Sequence, residues 1–293
     1  MTELGRESSR AGIAVTGIGG LVGGALEQDL KTLGFEVTAL TSRPGVPETI
    51  FLEKGRPAEP LPVPLKRIIH CGGLVGGNYS REEYLEANVR HTRELLLWSE
   101  ENRLEQFVYI SSGGVYGPAE GWLDEEAPLR PEGFYAESKA LAEEEVLKAA
   151  LPLVSVVRLY FPIGPLERRH FFEALNRRVR EGEVFFNGAL GRPFLSPVDL
   201  HDLAPVLAAM IQKKISGVFN LSANQALSVK EAAEILAEAN GADLKASVLD
   251  GQGGDFLGRA DKIIRATGFS AFRSVRAALR GKAELFRAGG RPG

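Results

Sequence analysis

The stretch FYAESKALAEEE, residues 134–145, sets a tyrosine, Tyr135, four residues before a lysine, Lys139. Residues four apart on a helix share one face, with Cβ atoms about 5–6 Å apart. A phenol held beside an ammonium is of little use to a core and of direct use to proton transfer. Free tyrosine titrates near pH 10, so a base working near neutrality needs a fall of about 3 pH units, or ~4 kcal/mol. One unit charge at ~4 Å in a partly buried site supplies about that much. Such pairs also arise by chance, so this one alone decides nothing.

A second constellation lies near the N-terminus. TGIGGLVGG, residues 16–24, follows an apolar run and opens a helical pattern. Gly17, Gly20 and Gly23 are spaced G-x-x-G-x-x-G. Between a strand and a helix, one glycine makes the tight turn and one admits the backbone to a pyrophosphate. The third lets the helix pack close on the strand, its N-terminus facing the anion. Gly17, Gly19, Gly20, Leu21, Val22 and Gly23 are therefore candidate dinucleotide contacts; the alternative is a merely flexible turn. The next strand ends ALTSRP, where an acidic residue would hold an adenosine ribose 2′-hydroxyl. Thr41 stands there, followed by Ser42 and Arg43. A guanidinium can pair with a 2′-phosphate, which slightly favours NADP over NAD; a solvated loop arginine is the competing reading.

These residues need a scaffold, and the apolar runs supply one. AGIAVTG (11–17), FEVTAL (35–40), KRIIHC (66–71), QFVYIS (106–111) and LVSVVRL (153–159) read as strands. Helical patterns cover 21–33, the region near 81–103 and the segment with Tyr135. Strands alternating with helices indicate a parallel sheet covered on both faces, an α/β fold of the Rossmann-type, doubly wound kind. The segment RPAEPLPVPLK (56–66) carries four prolines and cannot be a helix interior, so it reads as an extended crossover. After Gly164 the texture changes. LERRHFFEALNRRVREGE, DLHDLAPVLAAMIQKK and SVKEAAEILAEAN read as helices, GVFNLS as a strand, and a last helix pair falls at about 259–288. The expected division is a dinucleotide-binding part, 11–165 with about 197–221, and a smaller C-terminal substrate lobe, about 166–196 and 222–288. The ends 1–10 and 289–293 read as mobile tails.

Net charge is −3, from 35 basic and 38 acidic residues among 293, which favours neither nucleic acid nor an anionic membrane as partner. A single cysteine, Cys71, fits a reducing compartment, so a cytoplasmic location is expected. The four histidines have no cysteine companions at metal-ligand spacing, and no metal site is expected. No apolar run approaches the ~18 residues of a membrane span.

TGIGGLVG, SSGGVYG (111–117) and YAESK (135–139), in this order, resemble the extended short-chain dehydrogenases, the NAD-dependent epimerase/dehydratase family. DEEAPLRPEGFYAESKALAE, RLYFPIGP, SPVDLHDLA and RADKIIRATGF are similar to further family stretches. The resemblance implies Ser112 as the catalytic hydroxyl, Tyr135 as acid/base and Lys139 as its lysine. It also implies cofactor contacts at Cys71, Gly72, Asn88 and Ser111, besides Tyr135 and Lys139. Asn88 would sit behind the site, placing a water or merely packing a helix. A homodimer through the helices at 81–103 and 133–150 is implied in the same way.

Departures narrow the reaction. Family dehydratases carry Asp-Glu after the catalytic hydroxyl, because removing water takes an acid and a base beyond the tyrosine. Gly113 and Gly114 stand there. What survives is reversible oxidation at one carbinol: epimerisation through a transient ketone, or ketone reduction. Phe161 replaces the Asn with which nucleotide-sugar members help hold a diphosphate, and a phenyl ring makes no such hydrogen bond. Ser112, Gly113, Phe161 and Arg192 are the candidate substrate contacts, with a sugar nucleotide as the leading substrate and a small non-nucleotide ketone as the alternative. A non-catalytic NAD(P)H-binding sensor or scaffold is the competing class.

Overall fold

Residues Gly12–Thr16, sequence GIAVT, are buried without alternation, as a strand must be when both faces of its sheet are covered. The computed structural model describes residues 12–61, 65–182, 184–187, 191–244, 246–249 and 254–289. The expected tail 1–10 lies outside these residues, and of the tail expected at 289–293 only Gly289 is described, as the last residue of a helix.

Eight strands form the main sheet: β1 (Gly12–Thr16), β2 (Val37–Thr41), β3 (Ile50–Glu53), β4 (Arg56–Pro57), β5 (Leu65–His70), β6 (Gln106–Ser112), β7 (Leu153–Leu159) and β8 (Gly217–Leu221). Their order is β8-β7-β6-β5-β1-β2-β3-β4, parallel except for β4. This is the Rossmann-type arrangement expected from the sequence. Side chains alternate between two cores. Ile13 and Val15 meet α1 (Leu21–Thr32) and the later helices α5 (Leu203–Gln212) and α7 (Asp261–Thr267) on one face. Ala14 and Ile68 meet the other face. That face is covered by α2, which runs through Arg81–Leu85, a π-helical turn Glu86–Arg90 and His91–Glu101, and by α3 (Gly133–Lys148).

The proline-rich crossover departs from expectation in part. It contains no helix among the described residues, but β3 and β4 extend the sheet where no strand was expected. Four residues and two residues are too short to show a period. The helix expected over LERRHFFEALNRRVREGE forms only as α4, Phe171–Glu181. His170 caps it by accepting from the Phe172 amide, and Gly182 closes it with φ 87°, so Pro165–His170 remains a loop.

A third core joins α4, α6 (Val229–Asn240) and α8 (Val275–Gly289). Ser228 caps α6 by accepting from the Glu231 amide at 3.0 Å. No helix among the described residues is long and apolar enough to cross a membrane.

Candidate active site

Strand order reverses between β1 and β5, so the chain leaves these neighbours in opposite directions and opens a crevice at their C-terminal ends. The glycine turn fills that point. Gly17 has φ 71°, and a Cβ there would lie 2.8 Å from the Cys71 carbonyl and the Gly72 nitrogen. A Cβ on Gly23 would lie 2.4 Å from the Gly17 oxygen. Only bare backbone lets α1 start this close to β1, with its free amides facing the crevice. Gly20 donates back to the Gly17 carbonyl at 2.8 Å and closes the turn. Leu21 and Val22 follow at the start of the helix. The cradle therefore fits a dinucleotide pyrophosphate. At the end of β2, Thr41 is buried and accepts from the Arg43 amide at 3.1 Å. Ser42 and Arg43 are exposed, and the Arg43 guanidinium bends back toward Gly19, 3.1 Å from where its Cβ would be.

A buried relay stiffens this crevice. Asn88 sits in the π-helical turn, whose extra residue pushes its amide toward the loop after β5. Its Oδ1 accepts from the Leu74 amide at 2.6 Å, and its Nδ2 donates to the Leu74 carbonyl and, at 2.9 Å, to Ser138 Oγ. Asn88 thus ties the loop beside Gly72 and Gly73 to the helix that carries Tyr135. Thr92 donates to the Asn88 carbonyl at 2.7 Å, so it must accept from His70 Nε2–H at 2.9 Å. His70 Nδ1 then accepts from the Thr16 hydroxyl at 2.6 Å, and Thr16 Oγ1 accepts from the Cys71 and Gly72 amides. Burial, aided by the charge of Lys139, pulls the His70 pKa down to about 3. Because this lies below the unfolded value of about 6.5, protonation favours unfolding. The stabilisation is complete above pH 6.5 and is lost as pH falls toward 3. Nitrogen-15 NMR should show His70 as a neutral Nε2–H imidazole that does not titrate between pH 8 and 5; a midpoint near 6.5 would break the relay. Cys71, at the end of β5, has its thiol pushed up to about 12 by burial, which makes it filler and not a nucleophile.

Ser112 ends β6, and its Oγ accepts from the Gly114 amide at 3.1 Å. Tyr135 lies in the first turn of α3, its ring 6.1 Å from that of Tyr84 on α2. Burial raises the Tyr135 pKa above its ordinary value, and the neighbouring Ser112 hydroxyl, which favours the phenolate, opposes this only in part. The sequence suggested that Lys139 would acidify the phenol. Instead its amine, buried one turn away, donates to the Ile110 carbonyl at 2.7 Å and lies 4.2 Å from the centroid of the Tyr109 ring. Lys139 is itself pulled down to about 8 by burial, with Glu143 opposing. In this state the ammonium is directed at β6 and not at the phenol.

Beneath the site lies a charge pair that sequence reasoning missed. Glu143, one turn beyond Lys139, is buried and accepts from Arg158 on β7 (Nη2 at 2.8 Å) and from Ser111 at 2.5 Å. Arg158 also donates to the Tyr116 hydroxyl at 2.6 Å, which in turn donates to Asn220 Oδ1 on β8 at 2.9 Å. Ser111 is therefore a support of Glu143, its hydroxyl engaged below the crevice. An arginine inside the apolar run LVSVVRL was the available signal, since a buried guanidinium requires an anion.

A model of the NAD dependent epimerase/dehydratase family matches residues 13–222. The chain belongs to that family. Human dTDP-D-glucose 4,6-dehydratase is 28% identical over 170 residues, covering 54% of this chain and 48% of that protein. A putative UDP-arabinose 4-epimerase of Arabidopsis thaliana is 25% identical over 181 residues, covering 52% and 43%. The chain thus matches about half the length of these curated relatives. The solved structure of MoeE5 in complex with UDP-glucose and NAD superposes with TM-score 0.79 at 25% identity, covering 95% of this chain and 99% of that one.

Against the epimerase/dehydratase family, the departures have structural causes. A Cβ on Gly113 would lie 2.5 Å from the Tyr160 ring, and one on Gly258 would lie 2.2 Å from its other edge. Tyr160 is clasped between two glycines and fills the volume a longer side chain at 113 would need. Phe161 holds φ 36°, a left-handed conformation that suits an asparagine and strains a phenylalanine. Its ring is part-buried, edge-on to Phe171 and Phe256 at 5.3 and 5.9 Å. Arg192, the other substrate candidate, is paired to the buried carboxylate of Asp255 at 3.2 Å.

Proposed function

We propose that this protein is an NAD(P)-dependent enzyme that oxidises and re-reduces one carbinol carbon of a nucleotide-linked sugar, as a 4-epimerase or a ketone reductase. The observation that carries this reading is that the Tyr135 phenol of α3 stands next to the Ser112 hydroxyl at the C-terminal end of β6, beside the glycine cradle. The named relatives, an epimerase, a dehydratase and a protein solved with a UDP-sugar and NAD, support the substrate class.

Ser112 donates to the substrate oxygen and holds it against Tyr135. The phenol takes the proton of the reacting hydroxyl as the carbon is oxidised and returns it on reduction. When bound, an oxidised nicotinamide supplies the hydride acceptor and a positive charge next to the phenol. Lys139 keeps its proton below about pH 8 through Glu143 and fixes the end of β6 by its bond to Ile110. Gly113 and Gly114 offer no second acid or base, and the Tyr160 ring leaves no room for one at 113, which disfavours water removal by the family's usual pair. Ser42 and Arg43, with no carboxylate at the end of β2, favour a 2′-phosphate and hence NADP.

The main sheet with its covering helices forms the nucleotide-binding part and the third core the substrate lobe. Exposed Leu97, Leu141 and Leu147 on the α2–α3 surface suit a homodimer. One preparation tests these points. Denaturing the purified protein should release NAD(P), and light scattering should give twice the chain mass of 31.7 kDa. Retained nucleotide with inversion of a UDP-hexose marks an epimerase, whereas freely exchanging nucleotide marks a reductase. Absence of both bound nucleotide and affinity for added NADH or NADPH would remove the reading.

A further inference from the structure

Arg168 stands in the Pro165–His170 loop, which leads into the C-terminal lobe, yet its Nη1 donates to the Gly20 carbonyl at 2.9 Å, 148 residues away in the chain. Its guanidinium packs against the bare face of Gly24, 3.4 Å from where a Cβ would sit. Arg43 approaches the same turn at Gly19. Two guanidinium groups therefore adjoin one glycine turn, and among the described residues neither has an ion-pair partner in a carboxylate. The loop is built to hold this position. The Arg168 amide donates to the Pro165 carbonyl at 3.2 Å. His170 Nε2–H donates to the same carbonyl at 3.1 Å while Nδ1 accepts from the Phe172 amide. A neutral carbonyl uses one of five guanidinium donors and none of its charge. Positive charge gathered where helix amides already point suits a dianion.

We propose that Arg168 is a clamp on the cofactor pyrophosphate, supplied by the far side of the crevice. The clamp rests on the dinucleotide-binding reading above. It also makes cofactor occupancy fix the loop that precedes Phe171, whose ring abuts Phe161 in the substrate lobe. Binding of the dinucleotide thereby sets one wall of the sugar pocket before substrate arrives.

The test is equilibrium binding to the full chain, using whichever of NADH and NADPH binds more tightly, with ADP-ribose and adenosine 2′-monophosphate as probes with and without a pyrophosphate. Arg168→Gln should weaken the dinucleotide and ADP-ribose at least about tenfold, the effect of losing one charge-assisted hydrogen bond. The monophosphate should bind as before, Arg168→Lys should recover part of the loss, and Arg169→Gln should change nothing. Unchanged ADP-ribose affinity in Arg168→Gln, with a lowered melting temperature, would make the arginine a structural tie and overturn the clamp alone. Wild-type protein that binds no dinucleotide would remove both readings.

Discussion

Tyr135→Phe is expected to lower turnover about 10²–10⁴-fold, the usual worth of a positioned acid/base, while changing cofactor affinity no more than about threefold. Phenylalanine keeps the ring that packs beside Tyr84, so the fold has no reason to change. What disappears is the phenolic oxygen next to Ser112 and the proton it exchanges. The same geometry predicts a pH signature. Burial holds the phenol above its ordinary value, so in the free protein the basic form is scarce at neutrality. Oxidation of the alcohol should accelerate with pH until the phenolate forms, and this rising limb should be absent in Tyr135→Phe. Full turnover by the variant would remove the mechanism and leave a nucleotide-binding shell.

Glu143→Ala should have the largest effect on stability. It leaves the buried Arg158 guanidinium without its anion, for which about 3–5 kcal/mol is the expected loss. Chemical denaturation measures this directly. The site should register the change as well. Glu143 raises the Lys139 pKa against burial, so without it the amine falls below about 8 and is neutral at lower pH. If activity needs the ammonium, its alkaline limb moves downward. Replacing both partners, Glu143→Met with Arg158→Met, removes the orphaned charge and should recover most of the stability while leaving the limb displaced. Recovery of both together would show that Glu143 acts on Lys139 only through the fold.

The sequence displayed its central strands because burial on both faces erases alternation, and its glycine turn because only glycine permits the 2.4 Å approach at Gly23. Tyr135 and Lys139 were visible through helical spacing. The direction of Lys139 was not, since spacing gives the face of a helix and not which neighbour takes the charge; here the Ile110 carbonyl does. The pairing of Glu143 with Arg158 was hidden for a related reason. Arg158, inside an apolar run, called for an anion, but Glu143 looks like surface charge until β7 is placed beside β6, with α3 packed across them. Tyr160 shows the converse limit. Gly113 advertised a missing acid, but the ring that fills its space comes from 47 residues on, between two glycines 145 residues apart.

The last strand of the main sheet has one more consequence. β8 joins the sheet only after the chain has visited the third core through α4, and the chain then returns to that core through α6 and α8. No single cut can free one part from the other with its packing intact. Limited proteolysis, recombination between relatives and fragment expression must all treat the two as one inheritable unit. A molecule stitched across its own seam in this way can vary either part, but it cannot trade one away.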